Sequence, residues 1–151
     1  MKKFRFRLQK VMEYKEEIEK QRKLDLGKAK QRVYDEEEKL KRLQHQDSTC
    51  RKQIQEKGTA ERIDPREMDL YYQYLKALHT QMKHQNGCIL EAKEVMEEKR
   101  KILLEATKER KILEKLKRKK HVEYNLDIAR RERFVLDDVT STAFARRRIE
   151  Q

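Results

Sequence analysis

The chain reads as an all-α protein: two long helices in an antiparallel coiled-coil hairpin, the second helix longer than the first and overhanging it. Three observations predict this. Lys, Arg, Asp and Glu make up 45% of 151 residues, only 36% are hydrophobic, and Trp is absent. That is too little apolar material for a globular core but enough for narrow stripes. A heptad repeat runs through much of the second half, and charge-rich sequence with a sustained apolar period argues coiled coil rather than disorder. The only proline and one of three glycines fall together in Lys57-Gly58-Thr59-Ala60-Glu61-Arg62-Ile63-Asp64-Pro65. A single break between helical arms makes a hairpin.

The first arm is expected over about residues 4–55, and its apolar residues fall into two groups. Phe4, Leu8, Val11 and Ile18 keep one phase, and Leu26, Ala29, Val33, Leu40, Leu43, Cys50 and Ile54 keep another. The eleven-residue step from Ile18 to Ala29 predicts a stutter, which locally relaxes a supercoil. Gly27 lies inside that step and softens the helix by about 1 kcal/mol relative to Ala.

After a loop over about residues 56–64, the second arm is expected over about 65–146. Its start is well signalled: Asp64 as cap, Pro65 at the first helical position and Glu67 at the third complete a capping box. From there a seam runs Met68, Tyr71, Leu75, Leu78, Met82, Gln85, Ile89, Ala92, Met96, Lys99, Leu103, Ala106, Arg110, Leu113. Eleven of these fourteen are apolar or aromatic, well beyond the three or four heptads that make such a pattern specific. Asn86-Gly87 is a weak break signal inside an unbroken phase.

Folding about residues 60–61 sets Phe4 near Lys117, in a single domain whose second arm is unpaired beyond about residue 117. The paired rod is then about 52 residues, roughly 78 Å, and the overhang roughly 43 Å. Tyr124, Ile128, Phe134, Leu136, Val139 and Phe144 have nothing in the hairpin to cover them. Isolated helices of this length are marginal, so the overhang calls for a partner.

The net charge of +12 is uneven: residues 1–30 carry 11 basic and 5 acidic side chains, and residues 97–131 carry 13 and 7. The hairpin gathers both excesses at its open end, with the densest run at Lys115-Leu116-Lys117-Arg118-Lys119-Lys120. Such a patch suits phosphates, an anionic membrane surface or an acidic protein cavity. The run lacks the interleaved aromatics or glycines of many nucleic-acid readers.

No catalytic motif is present, and no cofactor is expected. His45, His79, His84 and His121 share no ligand spacing, and Cys50 and Cys88 share no metal or redox spacing. No stretch approaches a membrane span. The basic start, Met1-Lys2-Lys3-Phe4-Arg5-Phe6-Arg7, is followed by no apolar region of signal-peptide type.

Three segments together resemble the flagellar export protein FliJ family. They are Phe4-Arg5-Phe6-Arg7-Leu8-Gln9-Lys10-Val11-Met12, the charged stretch from Arg100 to Lys117, and Glu132-Arg133-Phe134-Val135-Leu136-Asp137-Asp138-Val139 followed by Arg146 and Arg147. The resemblance implies a non-enzymatic, cytoplasmic component of the flagellar type III export apparatus, peripheral at the inner face of the cell membrane and associated with it indirectly. Its coiled coil would act like the central stalk of a rotary ATPase. Its partners would be the hexameric export ATPase, the export gate protein FlhA and export chaperones, with no nucleic acid. By the same resemblance the gate contact falls on Tyr74 and Leu78, with Gln81 next and Leu43 on the first helix. The open end would present Lys115, Lys117, Arg118, Lys119, Lys120, Tyr124, Phe134 and Leu136 to the ATPase ring. The alternatives are a structural or chaperone-like coiled coil without an ATPase partner, and a basic nucleic-acid-binding rod.

Overall fold

The computed structural model describes residues 3–59 and 64–149, with side chains described as far as residue 144. Two helices, α1 (Gln9–Gly58) and α2 (Pro65–Ile149), pack against each other as a helical hairpin, with no strand among the described residues. The fold class is therefore the expected one. The expected turn centre at residues 60–61 lies outside the described residues, as do the side chains of Arg146 and Arg147. The chain divides into two compact units: a loop unit, Lys20–Glu105, and a terminal unit of Met1–Glu19 with Ala106–Gln151.

In the loop unit, α1 ends without a left-handed glycine, since no glycine has a positive φ. The Thr59 hydroxyl instead donates to the Glu56 carbonyl at 2.8 Å, covering one of the carbonyls that a helix end leaves open. Asp64 caps α2 as expected: its carboxylate accepts from the Arg66 amide at 2.9 Å and its carbonyl from the Met68 amide at 3.1 Å. Glu67 does not complete the capping box. It pairs with Lys57 of α1, whose ammonium also lies 5.3 Å from the centre of the Tyr71 ring. The reciprocal cap is given up for a contact between helices.

The core of this unit is Cys50, Leu75 and Leu78, flanked by Leu43, Ile54 and Tyr71. Every seam residue expected on α2 from Met68 to Leu103 is buried or half-buried. Beside the half-buried Asp25, Glu37 and Glu38, the covered positions on α1 are Arg22, Leu26, Ala29, Val33, Glu36, Leu40, Leu43, Asp47, Cys50, Ile54 and Lys57. They alternate steps of four and three, so the expected stutter does not occur. Arg22, Glu36 and Asp47 fill seam positions that a count of apolar residues skips. The Gln85 amide donates to the Glu36 carbonyl at 3.0 Å and also to its carboxylate. Gly27 and Asn86-Gly87 lie inside unbroken helix.

In the terminal unit, α1 begins at Gln9 rather than near residue 4. Its first turn holds no acidic residue, while Lys3, Arg5, Arg7 and Lys10 crowd cations where the helix dipole is already positive. Residues 3–6 form a non-helical strap instead. Phe4 packs edge-on to His121 with ring centres 5.0 Å apart, and against Tyr124 at 5.5 Å. Lys117 meets Gln9 at 2.9 Å rather than Phe4. Contacts with the first arm therefore continue along α2 to Tyr124, beyond the expected limit near residue 117.

The seam of this unit also differs from expectation. Met12 and Glu19 are buried and Lys15 half-buried, while Leu8 and Val11 are exposed. Glu19 is only 6% exposed. Its carboxylate accepts from the Thr107 hydroxyl at 2.9 Å and from the Arg110 guanidinium. Arg110 also donates to Glu114 at 3.1 Å, and Glu114 accepts from Arg118 at 3.0 Å. A buried carboxylate is tolerated because its oxygens are paired. A polar layer thus lies in the seam beside Ile18, which is half-buried.

Candidate partner-binding surfaces

Side chains on α2 near its start fall into two sets. Leu78 is 2% exposed and lies in the core, with Leu43 packed against that core from α1. Their surface is committed to holding the helices together. Tyr74 is 46% exposed, and Gln81 is exposed one helical face away from the core. Gln81 also lines a shallow groove with Leu43, Gln46 and His84. Tyr74 and Gln81 are exposed, whereas Leu43 and Leu78 belong to the packing between the helices. Burial at alternating steps of three and four explains the division: Tyr74 precedes the seam residue Leu75 by one position and points about 100° away.

The basic run of the terminal unit is partly engaged internally. Lys117 donates to Gln9, Arg118 to Glu114, and Lys120 to Glu123 at 2.7 Å. The hydrogen bond from Lys120 holds the Glu123 carboxyl below its ordinary value of 4.5. The Arg110 guanidinium is raised above its ordinary value chiefly by its hydrogen bond to Glu19. Lys115 and Lys119 are exposed. Tyr124 is half-buried against Phe4 and is not part of the uncovered surface.

Beyond Tyr124, Ile128 is half-buried rather than uncovered as expected, and the other large apolar side chains of α2 are bare as far as residue 144. Phe134 is 77% exposed, and Leu126, Val135, Leu136, Val139 and Phe144 are exposed with it. At about 100° per residue, these do not form a stripe. Taking Leu126 and Phe144 as the origin, Phe134 points about 80° away, Val135 about 180°, Val139 about 220° and Leu136 about 280°. Apolar side chains thus leave the helix on all sides. They are interleaved with Asp127, Arg130, Arg131, Glu132, Arg133, Asp137 and Asp138, so no single apolar face is set apart from a polar one. Leu126 and Val135 were not singled out in the sequence, though their offset from the heptad phase was the available signal. The strap at residues 3–6 was also missed, because its apolar residues fit a helical repeat.

These features define a class of protein: a helical hairpin with one set of exposed side chains beside its loop and another on an uncovered stretch of its second helix. Residues 4–148 match the family model described as Flagellar FliJ protein, and the chain belongs to that family. Membership makes it a component of the flagellar export apparatus. Neither a curated protein nor a solved structure gave a match. No helix among the described residues is long and apolar enough to cross a membrane.

Proposed function

We propose that this protein is a central-stalk-like shaft of the flagellar export machine. The terminal unit and bare α2 engage the hexameric export ATPase, and the surface around Tyr74 contacts the membrane export gate FlhA. Leu43 and Leu78 support that surface, Gln81 borders it, and export chaperones are further partners. The protein works in the cytoplasm at the inner face of the membrane, held there through its partners.

One observation carries this reading: the exposed apolar residues from Leu126 to Phe144 point in every direction around the helix. A bilayer or a groove covers one face of a helix and suits an amphipathic one. A collar covers all faces, which is what the pore of a ring supplies. Lys115, Lys119 and their neighbours then meet the acidic lining of such a pore. Deleting residues 126–151 spares the Phe4–Tyr124 contact. It should abolish stimulation of the export ATPase while the remaining hairpin still melts cooperatively. Undiminished stimulation by that truncated chain would sink the proposal.

A further inference from the structure

Residues 3–8 supply a surface that neither bare α2 nor the loop accounts for. Along the strap, exposure alternates: Phe4 and Phe6 are half-buried, while Lys3, Arg5 and Arg7 are exposed. The strap and α2 border a slot of about 500 Å³. Its floor is apolar, built from Phe4, Phe6, Leu116 and Tyr124, and its rim carries Lys3, Arg5, Arg7 and Lys120. Among the described residues, Lys3, Arg5 and Arg7 have no ion pair or side-chain hydrogen bond. Nearby acids are already matched: Glu114 with Arg110, Glu123 with Lys120 and Asp127 with Arg130. The backbone of residues 3–5 also makes no hydrogen bond among the described residues.

We propose that this slot binds an extended acidic segment of a partner protein, with an aromatic or large aliphatic side chain on the apolar floor. Carboxylates on either side of that anchor meet Lys3 and Arg5. The inference rests on the reading of the terminal unit as the ATPase-engaging part, and names the chemistry of the contact there. The spacing fits, because alternate side chains of any extended chain stand about 7 Å apart. Carboxylates two residues apart in the ligand therefore match cations two residues apart in the strap. The open backbone groups of the strap are available to pair with the ligand in strand fashion. An anionic bilayer is the poorer match. Phe4 and Phe6 are already half-buried, and Glu13, Glu16 and Glu17 follow within the next turns of α1, where a negative surface would repel them.

The test uses the full chain and two labelled peptides, Glu-Phe-Glu-Phe-Glu and its glutamine counterpart Gln-Phe-Gln-Phe-Gln, followed by fluorescence anisotropy at low ionic strength. The acidic peptide should bind at least about tenfold tighter than the neutral one. The combined Lys3→Ser, Arg5→Ser and Arg7→Ser variant should lose that preference while its melting curve is unchanged. Equal binding of the two peptides would overturn the proposal. So would a preference that survives in the triple variant, or capture by phosphatidylglycerol vesicles in place of the peptide. Peptide binding needs no ATPase, so a negative result here removes the slot alone. Undiminished stimulation after deletion of residues 126–151 removes the ATPase reading alone.

Discussion

Replacing Leu78 by alanine deletes the outer part of the most enclosed large side chain among the described residues, 2% exposed among Cys50, Leu75, Leu43, Ile54 and Tyr71. Alanine is an equally good helix former, so the loss is one of packing. Buried Leu→Ala changes destabilise by about 2–5 kcal/mol, less where neighbours can close the gap. A seam between two helices has solvent on its flanks and can partly close, which puts the expected loss at about 2–3 kcal/mol. For a chain of this size that is a fall in Tm of about 4–12 °C. Circular dichroism at a helix band, followed through heating and through urea, measures it. Tyr74→Ala is the companion: Tyr74 is 46% exposed, so stability should move by less than about 0.5 kcal/mol while binding to FlhA weakens. A Leu78→Ala loss below about 0.5 kcal/mol, with FlhA binding lost, would refute the division of these neighbours into core and surface.

Two further outcomes test the polar seam. Glu36 is held below its ordinary 4.5, first by the hydrogen bond from Lys39 and then by that from Gln85. A depressed carboxyl stabilises the fold above its unfolded pKa, and that contribution fades as pH falls through the folded value. Glu36→Gln should therefore melt below the native chain at neutral pH and level with it in strong acid; a gap that persists in acid would show that the carboxylate charge is not the cause. Arg110→Leu should destabilise the terminal unit by leaving Glu19 buried without its cation, whereas Glu19→Leu combined with Arg110→Leu should recover native stability or exceed it. Melting curves that place the double variant as low as the single one would contradict that account.

What was legible followed from where apolar side chains carry the seam. On α2 they do so almost throughout, and all fourteen expected positions from Met68 to Leu113 are covered. On α1 the seam passes through Glu19, Arg22, Glu36 and Asp47, which hydropathy counts as gaps. The reading then slid to Leu8, Val11 and Ile18 and needed a stutter to rejoin Leu26. Only knowledge of the opposing residues, Arg110, Thr107 and Gln85, identifies those polar positions as interior. The start of α1 was misplaced for a related reason: Phe4 and Leu8 fit a helical period, but four cations near a helix N-terminus and the His121–Tyr124 surface favour a non-helical strap. For the surfaces, Tyr74 was readable from its place one step off the seam. The all-round character of residues 126–144 needed exposure side chain by side chain.

Cys50 has a consequence outside binding. Its thiol is 2% exposed, 3.9 Å from the Tyr71 carbonyl, and sits in the same layer as Leu75 and Leu78. A reagent reaches that sulfur only when the two helices part at this layer. The half-exposed Cys88 reacts without such parting and supplies an internal clock. The ratio of the two labelling rates reads the opening equilibrium of the loop unit in the unaltered chain. Measured with and without FlhA, it reports whether the proposed gate contact favours a closed hairpin or an open one.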